Sequence, residues 1–161
     1  MEAALLGLVS WLDVIGLSQW ARSTSWAYPT ANTLHLLGLV MLVGGIGVVD
    51  LRLAGAWPKI PAAPLSRALT PLAVAGLLML IATGLILFAA DGKALAGSST
   101  FHRKLVLIAL ALANAAVFRA TWQKRVEAGE DLPLLVGRGM AVASLLVWLA
   151  VGTMGRLIAY S

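Results

Sequence analysis

The chain has 161 residues, of which 60% are hydrophobic and 12% are charged, and its formal net charge is +5. Soluble domains are about half apolar and a quarter charged, so this composition indicates an integral membrane protein. In such a protein the basic residues lie at the ends of the apolar runs, so the positive net charge does not indicate nucleic-acid binding. The chain has no cysteine, which excludes disulfides, thiolate-ligated metals, iron–sulfur clusters and covalently attached haem.

The N-terminal segment, residues 3–20, has the pattern of an amphipathic helix. Its apolar side chains share one helical face: Leu5, Leu8, Val9, Leu12 and Ile15. The polar residues Ser10, Asp13 and Gln19 lie outside this face. This pattern favours a short helix that lies in the membrane interface. A fifth membrane span over the same residues is the alternative.

Four later segments, 30–50, 70–90, 102–122 and 139–159, are apolar over about 20 residues, the length that crosses the hydrocarbon core. Small residues recur along them, and in lipid such stripes let helix backbones approach closely. We therefore expect one all-α domain over residues 1–161: an integral membrane four-helix bundle with an additional short N-terminal helix. The interior of such a bundle can hold a cofactor.

The distribution of Lys and Arg predicts the orientation of the spans. We call side A the membrane face where spans 30–50 and 102–122 begin, and side B the opposite face. Side B has seven basic residues: Arg52, Lys59, Arg67, Arg119, Lys124, Arg125 and Arg138. Side A has five: Arg22, Lys93, Arg103, Lys104 and Arg156. The positive-inside rule then makes side B cytoplasmic, and we expect a multi-pass protein of a bacterial inner membrane.

An ionisable residue, His35, lies inside the first of these spans, about 9 Å beyond Pro29 at 1.5 Å per residue. Such a residue costs several kcal/mol inside a bilayer unless it has a partner, so it indicates a functional site. The only other histidine, His102, opens the third span, so both lie in the side-A half of the bundle.

These two histidines and their polar neighbours predict a b-type haem site. His35 and His102 are the candidate axial ligands of the iron. Asn32, one turn before His35, is a further candidate for contact with the cofactor. Three cations would pair with the haem propionates: Arg103, Lys104 and Arg156. Two axial nitrogens must lie about 4 Å apart, whereas the helical rise separates the two residues in depth by about 6–9 Å. A haem held by His35 alone is therefore one alternative, and a copper site of His35, His102 and Met154 is another.

Each candidate also has a structural interpretation. His35 could bond a carbonyl of a neighbouring helix, and His102 could be an interfacial residue without a ligand. Asn114 is better explained as a hydrogen bond between helices. The sequence does not decide whether the chain is an enzyme, because Asp13, Asp50 and Asp91 lie apart and no nucleophile, base and orienting group can be aligned.

Several motifs resemble a bacterial membrane-protein family of unknown function, over nearly the whole chain. They are Trp26-Ala27-Tyr28-Pro29, Asn32-Thr33-Leu34-His35, Asp50-Leu51-Arg52-Leu53-Ala54-Gly55, Ala82-Thr83-Gly84-Leu85 and Phe101-His102-Arg103-Lys104-Leu105 followed by Asn114. That family is similar in layout to the copper resistance D-like membrane proteins and, more distantly, to the haem-associated membrane protoporphyrinogen oxidases. The resemblance implies that His35 is the early intramembrane histidine, that Lys104 is the helix-start lysine, and that the role is redox or metal-related.

Three functions follow as hypotheses. The first is a haem b protein that transfers electrons or performs redox chemistry near the outer face. The second is a copper- or metal-handling permease or its subunit. The third is a structural or assembly subunit without a cofactor. The expected partners are the lipid bilayer, a redox partner or quinone, and a second copy of the chain.

Overall fold

The computed structural model describes residues 1–130 and 134–158, and within these ranges it contains helices and no strand. The seven helices there are α1 (Glu2–Val14), α2 (Leu17–Ser23), α3 (Ala27–Ala54), α4 (Ala62–Gly97), α5 (Ser99–Thr121), α6 (Gln123–Glu127) and α7 (Leu134–Leu157). The all-α membrane bundle that composition predicted is confirmed.

Among the described residues, four helices are long and apolar enough to cross a membrane: α3, α4, α5 and residues Val136–Leu157 of α7. The bent pair α1 and α2 passes the same test only if both helices are counted as one span. The four helices contain the predicted segments except at two C-terminal ends. α5 ends at Thr121, one residue before the predicted end, and residue 159 of the fourth segment lies outside the described residues. The observed α3 and α4 are longer than predicted. α4 reaches Gly97 with a kink at Asp91, whose φ of −118° and ψ of 18° are not helical.

Glycine determines how closely α3 and α4 pack. A Cβ atom built on Gly76 would lie 2.6 Å from the Gly38 carbonyl oxygen, and one built on Gly38 would lie 2.9 Å from the Gly76 carbonyl oxygen. Both distances are shorter than real contacts allow, so the two backbones touch only because neither residue has a side chain. In lipid no hydrophobic force drives helices together, so small residues promote helix association by letting the backbones approach this closely.

The other helices complete the bundle around a shared apolar layer. α7 packs against both α3 and α5. The buried residues of the layer come from all four long helices: Leu42, Ala73, Ala111, Trp148 and Val151. This layer separates the polar residues at the side-A end from those at the side-B end.

The N-terminal segment forms two helices where one was predicted. Gly16 has a φ of 78°, in the left-handed region that glycine tolerates best, and α1 and α2 meet there at 76°. Arg22 bridges the bend with an ion pair to Asp13 at 3.0 Å. Both helices pack on the side-A end of α4, where Val9, Leu12 and Ala21 cover Phe88, Ala89 and Ala90.

Candidate functional site

His35 is held by a hydrogen bond between α3 and α4. Its Nδ1 lies 2.9 Å from Oγ1 of Thr83, a buried residue of α4. The same hydroxyl donates its only hydrogen to the Met79 carbonyl, one turn earlier, at 2.6 Å. With that hydrogen on the Met79 carbonyl, Thr83 Oγ1 accepts the hydrogen of His35 Nδ1, and in the neutral ring Nε2 then keeps its unshared electron pair.

A glycine beside this hydrogen bond leaves space for the imidazole. A Cβ atom built on Gly84 would lie 3.3 Å from Cε1 of His35, which is tighter than most real contacts. A larger residue at this position would push the ring away from Thr83. Thr83 and Gly84 together therefore fix the position and the tautomer of the half-buried His35 ring.

Lys104 of α5 lies in the same side-A half of the bundle as His35. The lysine is half-buried, and its Nζ lies 3.5 Å from a Cβ atom built on Gly155 of α7. The side chain thus runs along α7 at a point where α7 has no side chain. Among the described residues, the ion pairs are Arg22–Asp13 and Arg125–Glu130, so no carboxylate of that part of the chain pairs with Lys104.

His102 occupies a different place. Its Nε2 lies 2.7 Å from the Ala96 carbonyl oxygen, and because a carbonyl only accepts, Nε2 donates. The ring thereby satisfies one of the unpaired carbonyls at the end of α4. Thr83 and Ala96, the partners of the two histidines, lie on opposite sides of the kink in α4 at Asp91. While Nε2 of His102 donates to the Ala96 carbonyl, this nitrogen cannot also ligate a metal.

A groove at the side-A end brings other candidates together. It has a volume of about 530 Å³, and its lining residues come from the start of α1, from α5 and from α7 (Met1, His102, Arg103, Val106, Leu107 and Met154). His102 and Met154, two of the three candidate copper ligands, therefore share one cavity, and His35 is not part of its lining.

The remaining candidates lie around these two places. Asn32 is exposed, as are Arg103 and Arg156. Within residues 1–130 and 134–158, no group of three or more His, Asp or Glu side chains is arranged to hold a metal ion. The sequence-predicted site thus divides into a His35–Lys104 region inside the bundle and a His102–Met154 groove at its side-A end.

Sequence reasoning named His35 and Lys104 but missed the role of Thr83. The available signal was a hydroxyl residue followed by glycine, in the middle of an apolar run on a second helix. Asn114, in contrast, has the structural role expected of it, because its Nδ2 donates to the Met140 carbonyl at 3.2 Å and joins α5 to α7.

Four membrane-length helices around a half-buried histidine define a multi-pass helical membrane protein. The model of a family of unknown function, DUF6644, matches residues 8–161, and the chain belongs to that family. Neither a curated protein nor a solved structure matches the chain.

Proposed function

We propose that this protein is a redox protein of a bacterial inner membrane that binds one b-type haem through His35 and transfers electrons near side A. One observation carries the proposal. His35 donates from Nδ1 to Thr83 and keeps the electron pair of Nε2, and this is the state in which a histidine ligates a metal. Metal-binding histidines in proteins are characteristically fixed through the other ring nitrogen in this way.

The cations at the side-A end support the same proposal. Lys104 has no carboxylate partner among the described residues. Lysine and arginine pair with carboxylates through charge-assisted hydrogen bonds, so Lys104, with Arg103 and Arg156 at the same end, would pair with the haem propionates. A bound haem would supply one-electron chemistry, and the protein would supply the ligand, its orientation and the neutralising charges.

A single histidine ligand fits the structure better than two. His102 already donates Nε2–H to the Ala96 carbonyl. The likeness of the motifs to the haem-associated membrane protoporphyrinogen oxidases supports the same assignment, because the resemblance marks His35 and Lys104 and says little of His102.

The test is the absorption spectrum of the protein purified in detergent from haem-replete cells. We expect a Soret band in the wild type and in His102→Ala, and none in His35→Ala, with circular dichroism to show that all three remain helical. A wild type without a Soret band, or an undiminished band in His35→Ala, would overturn the proposal.

Copper handling is the second candidate, favoured by the groove at the side-A end. His102, Met154 and Met1 line it together, and since Nε2 of His102 donates to Ala96, the thioethers and Nδ1 would be the groups that bind Cu(I). The discriminating variant is Met154→Leu, which keeps the apolar bulk and removes the sulfur. Copper that binds to the wild type, is lost in Met154→Leu and is retained in His35→Ala would favour this function over haem binding.

A further inference from the structure

A second ionisable residue lies on α3 at the opposite end of the bundle from His35. Asp50 is only 6% exposed, and its Oδ2 is buried without a hydrogen-bond partner. Ser144 of α7, also buried, is the hydroxyl residue that acts on this carboxyl group. The residue lies about 6 Å from the end of α3 at 1.5 Å per residue, close to side B.

Among the described residues, no cation forms an ion pair with this carboxyl group. Arg52, on the same helix, donates to the loop carbonyls of Pro58, at 3.2 Å, and Ile60. Arg138 of α7 lies with its guanidinium against Gly55, with Nη2 3.3 Å from a Cβ atom built there. Arg67 of α4 is exposed. In the described part of the chain, neither ion pair includes Asp50. A buried carboxylate without a counter-ion is strongly unfavourable, and a neutral acid is not.

We propose that Asp50 and Ser144 form a proton-binding site at the side-B end of the bundle. The Ser144 hydroxyl donates to the Asp50 carbonyl oxygen, and the proton resides on Oδ2. When the site releases its proton, the O–H bond breaks, the electron pair stays on Oδ2 and the proton passes to water at side B. The ligand of this site is a proton, so its existence does not depend on haem binding at His35.

The experiment is infrared spectroscopy of the purified full chain at neutral pH. We expect a protonated-carboxyl C=O stretch in the wild type that is absent from Asp50→Asn and present in Asp91→Asn, which removes an exposed aspartate. Transfer to D₂O should shift the band, because the proton exchanges with water. A wild type without the band, a band that survives Asp50→Asn, or a band that D₂O leaves unchanged would overturn the proposal.

A second variant keeps the test decisive if Asp50→Asn does not fold. In Ser144→Ala, the carbonyl oxygen loses its hydrogen bond, so the same band should move to higher frequency. A band that stays in place in Ser144→Ala belongs to another carboxyl group and would contradict the assignment. The helical content of each variant is checked by circular dichroism.

Discussion

His35 and Thr83 form a hydrogen bond across the contact of α3 and α4, with 2.9 Å between Nδ1 and Oγ1. The direction of this bond is determined by a third group, since the Thr83 hydroxyl has already donated to the Met79 carbonyl of its own helix. The backbone of α4 thus selects the tautomer of a histidine on α3. The close approach of Gly38 and Gly76 further along the same two helices makes this contact possible.

Thr83→Val should weaken haem binding. Valine keeps the shape of threonine but cannot accept the Nδ1 hydrogen, so the ring loses its fixed orientation. Loss of such an outer partner typically lowers metal affinity about 10–100-fold. Haem content per purified chain, determined from the pyridine haemochrome, is the measurement. Thr83→Ser keeps the hydroxyl and should retain the cofactor, and full occupancy in Thr83→Val would show that the hydrogen bond does not position the ligand.

Gly76→Val should destabilise the bundle. The new Cβ atom would lie 2.6 Å from the Gly38 oxygen and 2.7 Å from the Leu42 nitrogen, and these backbone atoms cannot move aside without separating α3 from α4. Overpacking of this kind costs about 1–3 kcal/mol or more. The free energy of unfolding is measured by denaturant titration in detergent.

Gly44→Val is the matched control for this change. A Cβ atom at Gly44 has no atom within 4 Å, and the variant carries the same cost of a β-branched residue in a helix. Equal stability of Gly44→Val and Gly76→Val would contradict the close α3–α4 contact.

His102→Ala should affect the turn between α4 and α5 and leave the cofactor in place. The variant removes the donor to the Ala96 carbonyl, which lies 2.7 Å from Nε2. A hydrogen bond of this kind contributes about 0.5–1.5 kcal/mol. Amide hydrogen exchange should become faster near residues 96–102 and remain unchanged around Thr83. Loss of haem in this variant would make His102 a ligand after all.

Lys104→Gln should increase the rate at which haem leaves the protein, because glutamine is neutral and binds the negatively charged propionate more weakly than lysine does. Lys93→Gln is the matched control, since it removes an exposed cation from the side-A end of α4. Transfer of haem to apomyoglobin, followed by absorbance, gives the rate. Equal rates in the two variants would show that general positive charge, and not Lys104, retains the cofactor.

Length and hydropathy predicted the four long helices, because the thickness of the bilayer imposes both. They did not predict that α4 continues to Gly97 or that the N-terminal segment bends at Gly16. A helix that leaves the apolar core has no compositional reason to end there. A single glycine in an amphipathic run is equally compatible with a straight helix and with a bend.

Only part of the candidate site could be predicted from the sequence. His35 was recognisable because an ionisable residue in an apolar run is costly. Its partner depends on the rotation of α3 against α4, which the glycine contact sets and which one sequence does not reveal. The depth calculation already separated the two histidines by about 6–9 Å. It did not predict their partners, Thr83 within α4 and the Ala96 carbonyl beyond the kink at Asp91.

The central claim is that Nε2 of His35 ligates haem, and the most direct measurement is chemical rescue of His35→Gly. The variant removes the imidazole and leaves space beside Thr83 and Gly84. With haem supplied and unbound haem removed, the purified variant should show no Soret band, and addition of imidazole should restore one, whereas the wild type should show its band before any imidazole is added. A Soret band in His35→Gly without imidazole, or none after its addition to a folded variant, would contradict the assignment.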